Sequence, residues 1–113
     1  MHESTFLILT ALAAQPLHGY GVVQAVEDLS AGDVKLRPGT LYGALDRLVE
    51  QRLIEVDREE AVDGRLRRYY RLNEAGAAAL QAQAERLRRH ATAADDQLSK
   101  RLGGALGFGA VSA

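Results

Sequence analysis

The sequence predicts a mainly α-helical fold with one small β-hairpin and a long C-terminal helix. Three observations predict it. Leu41, Leu45 and Leu48 recur at helical spacing behind Pro38. Leu53-Ile54-Glu55-Val56-Asp57 alternates apolar and charged residues, Asp63-Gly64 is a strong turn signal, and Arg67-Arg68-Tyr69-Tyr70-Arg71-Leu72 reads as a returning strand. Leu80, Ala84, Leu87, Ala91, Ala94 and Leu98 then follow a 4-3-4-3-4 spacing, the seam of a helix pair.

Length and composition set the frame. One domain is expected from 113 residues, and 47% apolar with 26% charged residues is a globular balance. No run of roughly 18 apolar residues suggests a membrane span. The N-terminus lacks a basic region, so no signal peptide is expected. Without cysteine there is neither a disulfide framework nor a thiolate metal site. A cytoplasmic location fits.

A first helix is expected from Thr5 to about Ala14, with Ser4 as its cap and Pro16 ending it. Phe6, Leu7, Ile8, Leu9, Ala11 and Leu12 leave it almost no polar face. Such a helix is buried all round, which predicts a second subunit covering the side marked by Leu7, Ile8 and Ala11. His18-Gly19 leads into a second helix ending at Leu29, with Val22, Val23, Val26 and Leu29 inward. Tyr20 near its start either packs or hydrogen-bonds a phosphate, and packing is the favoured role. Asp33-Val34-Lys35-Leu36 is expected to add a short strand to the hairpin.

The third helix runs from Pro38, a residue suited to the first helical position, to about Gln51. Arg37 stands at its positive dipole end, where a docked anion resolves the conflict of charge. Its polar side carries Thr40, Tyr42, Gly43, Asp46 and Arg47. In the hairpin, Ile54, Val56, Tyr70 and Leu72 face the core by alternation. Arg65, Arg67, Arg68 and Arg71 cluster after the turn, while Glu55, Asp57, Glu59 and Glu60 precede it. Cross-strand pairing is expected for some of these charges, with Arg65 the least provided for. The net charge of −1 therefore matters less than its distribution.

Asn73 should cap a fourth helix reaching about Leu102, roughly 43 Å at 1.5 Å per residue. Residues 103–113, glycine-rich and uncharged, read as a mobile tail in which Leu106 and Phe108 form an alternative apolar arm. The expected organisation is a winged helix-turn-helix over 1–72, a dimerisation helix over 73–102 and the tail over 103–113.

Four motifs in register carry a more specific resemblance. Pro16-Leu17-His18-Gly19-Tyr20, Pro38-Gly39-Thr40-Leu41-Tyr42, Asp63-Gly64-Arg65 with Tyr69-Tyr70-Arg71-Leu72, and Glu74-Ala75-Gly76 resemble the PadR family of bacterial transcription regulators, across roughly residues 5 to 80. The family usually places Pro after the Leu-Tyr pair, whereas Gly43 stands here. Gly loosens the helix by about 1 kcal/mol relative to Ala but lets another backbone approach closely.

The resemblance implies a dimeric winged-helix repressor of the short type, bound to double-stranded DNA at an inverted-repeat operator. It implies DNA contacts from Tyr20, Arg37, Gly39, Thr40, Tyr42, Gly43, Arg47, Arg65 and Arg67. The dimer interface would use Leu7, Ile8, Ala11, Leu80, Ala84, Leu87, Ala91, Ala94 and Leu98. Members of the family typically repress their own or neighbouring operons and leave DNA on an inducer such as a phenolic acid or cationic drug. Some short members hold planar drugs between paired tryptophans, and this chain has no Trp. Two outcomes follow: the long helices close up at Ala84, Ala91 and Ala94 and leave no pocket, or, the outcome favoured by analogy with the family, the first helices hold them apart and leave a cavity for a small apolar inducer, lined by Phe6, Leu9, Leu87, Ala91 and Ala94.

No enzyme is expected. His2, His18 and His90 are far apart, no metal-ligand spacing occurs, and no nucleotide-type phosphate loop is visible. No cofactor is called for. Two rivals stand beside the repressor: a winged-helix interaction module without DNA binding, and a repressor without ligand control.

Overall fold

The computed structural model describes residues 1–105. Its elements are α1 (Glu3–Ala14), β1 (Leu17–His18), α2 (Gly19–Leu29), α3 (Pro38–Glu50), β2 (Ile54–Val62), β3 (Arg65–Leu72) and α4 (Glu74–Ala105). The chain divides into two compact units after Gln81.

The first unit closes on one core. α1 supplies Ile8, Leu9, Ala11 and Leu12, α2 supplies Val22 and Val26, and α3 supplies Leu41, Ala44, Leu45 and Leu48, with Ile54 and Tyr70 from the strands. α1 begins at Glu3, and Ser4 is not its cap; His2 holds that position without a side-chain bond. The hydroxyl of Thr10, the polar intruder in this apolar helix, donates to the Phe6 carbonyl at 2.7 Å. The expectation that Ile8 and Ala11 await a partner subunit is corrected. Both are buried within their own chain, and the half-buried Leu7 packs on the same core. α2 and β3 cover the face that helical periodicity alone left unassigned.

Helices α2 and α3 both end in paired backbone bonds of the Schellman type. Gly32 N donates to Glu27 O and Ala31 N to Asp28 O; Leu53 N donates to Leu48 O and Arg52 N to Val49 O. Ala31 and Arg52 take the left-handed positions normally given to glycine, at φ 53° and 60°. Leu29, expected inward, is 54% exposed, because it lies in the last turn beyond the core.

The third strand is not where the sequence suggests. Residues 33–36 form no strand. Ser30 Oγ accepts from Val34 N at 2.9 Å and so ties the start of that segment to the end of α2. Leu17–His18 instead pairs antiparallel with β3, at Tyr70 and Tyr69, giving the order β1-β3-β2. The β2–β3 hairpin closes on Val62 and Arg65. Asp63 and Gly64 between them both have positive φ, 51° and 76°, the conformation that a two-residue type I′ turn requires.

Of the four hairpin residues expected inward, Ile54 and Tyr70 are buried and Leu72 is half-buried, but Val56 is 39% exposed. The ladder is irregular between Val56 and Arg58, with Asp57 as the extra residue. A bulge bends and twists its strand, and β2 leaves the core there.

Asn73 anchors the start of α4 as expected. Its Oδ1 accepts from Gly76 N, and its Nδ2 donates to Arg52 O, both at 2.8 Å. A Cβ on Gly76 would run into the carbonyl of Leu53, so α4 starts in backbone contact with the residue before β2. Leu80 is corrected too: it packs on the core of the first unit instead of opening a helix-pair seam. Ala84 is half-buried, and Leu87, Ala91, Ala94 and Leu98 are exposed. Residues 103–105 continue α4, and the rest of the expected tail, with Leu106 and Phe108, lies outside the described residues. No helix of the described residues is long and apolar enough to cross a membrane.

Candidate nucleic-acid interface

An open groove of about 900 Å³ separates the hairpin from the first turn of α2 and the outer face of α3. Tyr20, Tyr42 and Asp46 line its helical side; Arg65, Leu66, Arg67 and Arg68 line its strand side. Tyr20 and Tyr42, two of the residues expected on DNA, thus meet the wing arginines across one space.

Tyr42 sets the shape of the helical wall. A Cβ built on Gly19 would fall on the Tyr42 hydroxyl and ring, so the phenol lies directly against the first residue of α2. Half of Tyr42 nevertheless remains exposed. Tyr20 is 70% exposed and does not take the packing role expected for it. Its ring stacks near His18, with centroids 6.5 Å apart, and His18 leans on Tyr69 at 5.3 Å. The helix start places Tyr20 on the outer side because Val22 and Val26 occupy the inner one. Burial, assisted by the positive charge of Arg67 and opposed by Glu60, holds the His18 imidazole below its usual pKa.

At the N-terminus of α3, Arg37 is the cap residue and makes no side-chain cap bond. Gly39 and Thr40 are exposed beside it. A Cβ on Gly43 would meet only the Arg47 guanidinium at 3.6 Å, so local packing does not demand glycine there. Arg47 sits in the last turn of α3, where the helix dipole favours a cation.

Charges in the hairpin sort into two groups. Arg58 bonds Asp57 at 2.9 Å and Glu60 at 2.7 Å, and its guanidinium lies 3.9 Å over the Tyr69 ring. Arg71 bonds Glu55 and Asp57, each at 3.3 Å. Arg58 therefore takes Glu60, the carboxylate directly across from Arg67. Among the described residues Arg65, Arg67 and Arg68 make no ion pair. These three face the groove. Glu55, Asp57 and Glu60 are thus held by Arg58 and Arg71, while Arg65, Arg67 and Arg68 stay open.

The DNA contacts expected from the sequence do not include Arg68, Leu66 or Asp46, which also line this groove. Arg68 belongs to the arginine run and Asp46 to the polar side of α3; Leu66, 69% exposed, looks like a core residue until the hairpin is folded. The candidates on α4 and α1 are not brought to this place. Leu9 is fully buried in the core, which removes it from any ligand-lining role, and Phe6 is half-buried on α1. No group of three metal-ligating side chains occurs among the described residues.

Comparison with known proteins accords with this geometry. The chain is 42% identical over 73 residues to the transcriptional regulator Rv3488 of Mycobacterium tuberculosis, covering 65% of this chain and 64% of that protein. The chain spans only 15% and 28% of the lengths of two other curated relatives, which are longer. A PadR family regulator from Clostridium difficile R20291 superposes with a TM-score of 0.72 at 23% identity, over 86% of this chain and 99% of that one. Bacillus subtilis PadR, solved in complex with operator DNA, superposes at 0.64 with 18% identity, over 71% of this chain and 46% of that one. At such identities these two structures establish the shared winged-helix fold. Residues 8–82 match the transcriptional regulator PadR-like family, and the chain belongs to that family of regulators, which are not enzymes.

Proposed function

We propose that this chain is a sequence-specific DNA-binding regulator acting as a homodimeric repressor in the cytoplasm. The observation that carries the reading is the set of three unpaired arginines facing the outer side of α3 across an open groove. Residues 1–72 would form the DNA-binding domain. α3 would enter the major groove through Gly39, Thr40, Tyr42 and Gly43, with Arg37 at its positive end and Arg47 further along. Arg65, Arg67 and Arg68 would hold phosphates, as would Tyr20 at the start of α2. The operator complex of Bacillus subtilis PadR supports this docking by analogy of fold.

Leu87 and Leu98 on α4 are 42% and 62% exposed. With Ala84, Ala91 and Ala94 they follow the spacing of a helix pair. A second copy of the chain is the partner that suits them, and a two-fold dimer would require an inverted-repeat operator. Loss of side-chain volume at Ala91 and Ala94 would leave room beside Leu87 for a small, neutral, apolar inducer. An interaction module without DNA binding accounts less well for the open arginines, since none of the three is held in an ion pair.

Binding of fluorescent duplexes to the full chain tests the reading. Affinity for DNA should fall steeply with salt, through release of phosphate counterions. A duplex carrying the two-fold operator should exceed random DNA by about 10³-fold or more. Absence of salt-dependent binding to any duplex would overturn the proposal.

A further inference from the structure

Asp46 is the helical residue of the groove that attraction to a polyanion does not explain; the other carboxylates lining it, Glu59 and Asp63, belong to the hairpin. Asp46 is exposed on α3 one turn after Tyr42 and faces the same space as the wing arginines. It forms no ion pair with any described residue, although its field reaches Arg68. Arg68 already has Glu59 as its cross-strand neighbour. Gly39 and Gly43 lie seven and three residues before Asp46, on the same stripe of α3. A Cβ at Gly39 would meet nothing within 4 Å, and one at Gly43 only the end of Arg47. The helix backbone ahead of the carboxylate is therefore bare, and the edge of a duplex can come close.

An ionised carboxylate only accepts hydrogen bonds. Beside phosphates it is repelled. Against base edges in the major groove its matching partner is the N4 amino group of cytosine. We propose that Asp46 is a specificity-determining residue, which accepts a hydrogen bond from a cytosine amino group in each half-site and disfavours DNA that lacks one there. This rests on the reading that α3 enters the major groove.

Selection from a randomised duplex library, run on the full chain as wild type, Asp46→Ala, Asp46→Asn and Arg68→Ala, tests both levels separately. Wild type should select a cytosine at one position of each half-site. Asp46→Ala should lose that preference, a drop in discrimination of roughly 5- to 100-fold at that base pair, while binding random DNA more tightly. Asp46→Asn should move the preference at that position to adenine, the base whose edge suits an amide. If wild type selects an operator and Asp46→Ala selects the same one, the role of Asp46 is overturned and the DNA reading stands. A profile for Asp46→Ala that merely copies Arg68→Ala would also overturn it, because Asp46 would then act only by holding the wing. A wild type that retains no duplex would overturn the DNA reading itself.

Discussion

Tyr42 rests on Gly19 so closely that a single methyl group at position 19 would occupy the place of the phenol hydroxyl. The two residues belong to consecutive helices, so the first residue of α2 determines where the most prominent side chain of α3 points. Gly19→Ala should displace the Tyr42 ring toward the groove. Because half of that ring is free to move, the stability loss should stay within the range of about 1–3 kcal/mol seen for overpacking. Operator affinity should fall about as much as in Tyr42→Ala, and the double variant should be no worse than Tyr42→Ala alone. Additive losses in a double-mutant cycle would show that the contact does not serve DNA binding.

Gly76 offers a contrasting case. The atom that a Cβ would strike is the Leu53 carbonyl, which belongs to the backbone. That carbonyl also accepts from Asn73 N at 3.3 Å. Gly76→Ala should therefore destabilise by about 3 kcal/mol or more, read as a lower midpoint in chemical denaturation. A midpoint equal to wild type would mean that the start of α4 relaxes freely.

The two classes of hairpin arginine should separate in a salt titration. Arg65→Ala should weaken binding on all sequences and reduce the salt slope by roughly one unit. Arg71 is held by Glu55 and Asp57, so Arg71→Ala should leave the slope nearly unchanged. Equal slopes for the two variants would contradict the sorting of charges described above.

Assembly can be tested on α4 alone. Leu87→Glu puts a charge in the middle of the proposed helix pair and should yield monomer or aggregate with loss of operator binding. Sedimentation of the wild type should show a dimer at micromolar concentration; a monomer there would rule out the interface.

His18 links stability to pH. Burial and Arg67 hold its folded-state pKa below the ordinary 6.5. Between that lowered value and 6.5 the unfolded chain binds more proton than the folded one, so stability should fall as pH falls through this window and be fully present above it. His18→Gln should flatten the denaturation midpoint against pH over the same range. An unchanged pH dependence would place its origin elsewhere.

Much of this molecule is legible in the order of its residues. Helical periodicity at Leu41, Leu45 and Leu48, the Asp63-Gly64 turn and the Asn73 cap are local signals, each depending on neighbours within a few positions. They suffice for the three-helix order, the hairpin and the start of the long helix, and the four motifs suffice for the family. What the sequence could not reveal depends on residues far apart in the chain. Leu17–His18 and residues 33–36 are both short extended candidates, and only the free edge of β3 decides between them. Ile8 and Ala11 look available on an apolar helix until the sheet covers them. Arg58 and Arg71 carry the same charge as Arg65 and Arg67, yet the strand register and the bulge at Asp57 hand the acidic partners to the first pair and leave the second pair open. Tyr42 and Asp46 are neighbours on one helix by sequence, but their opposition to the wing arginines exists only once the hairpin has folded back across α3. Local propensity selects the elements, whereas long-range packing decides which charges remain unneutralised.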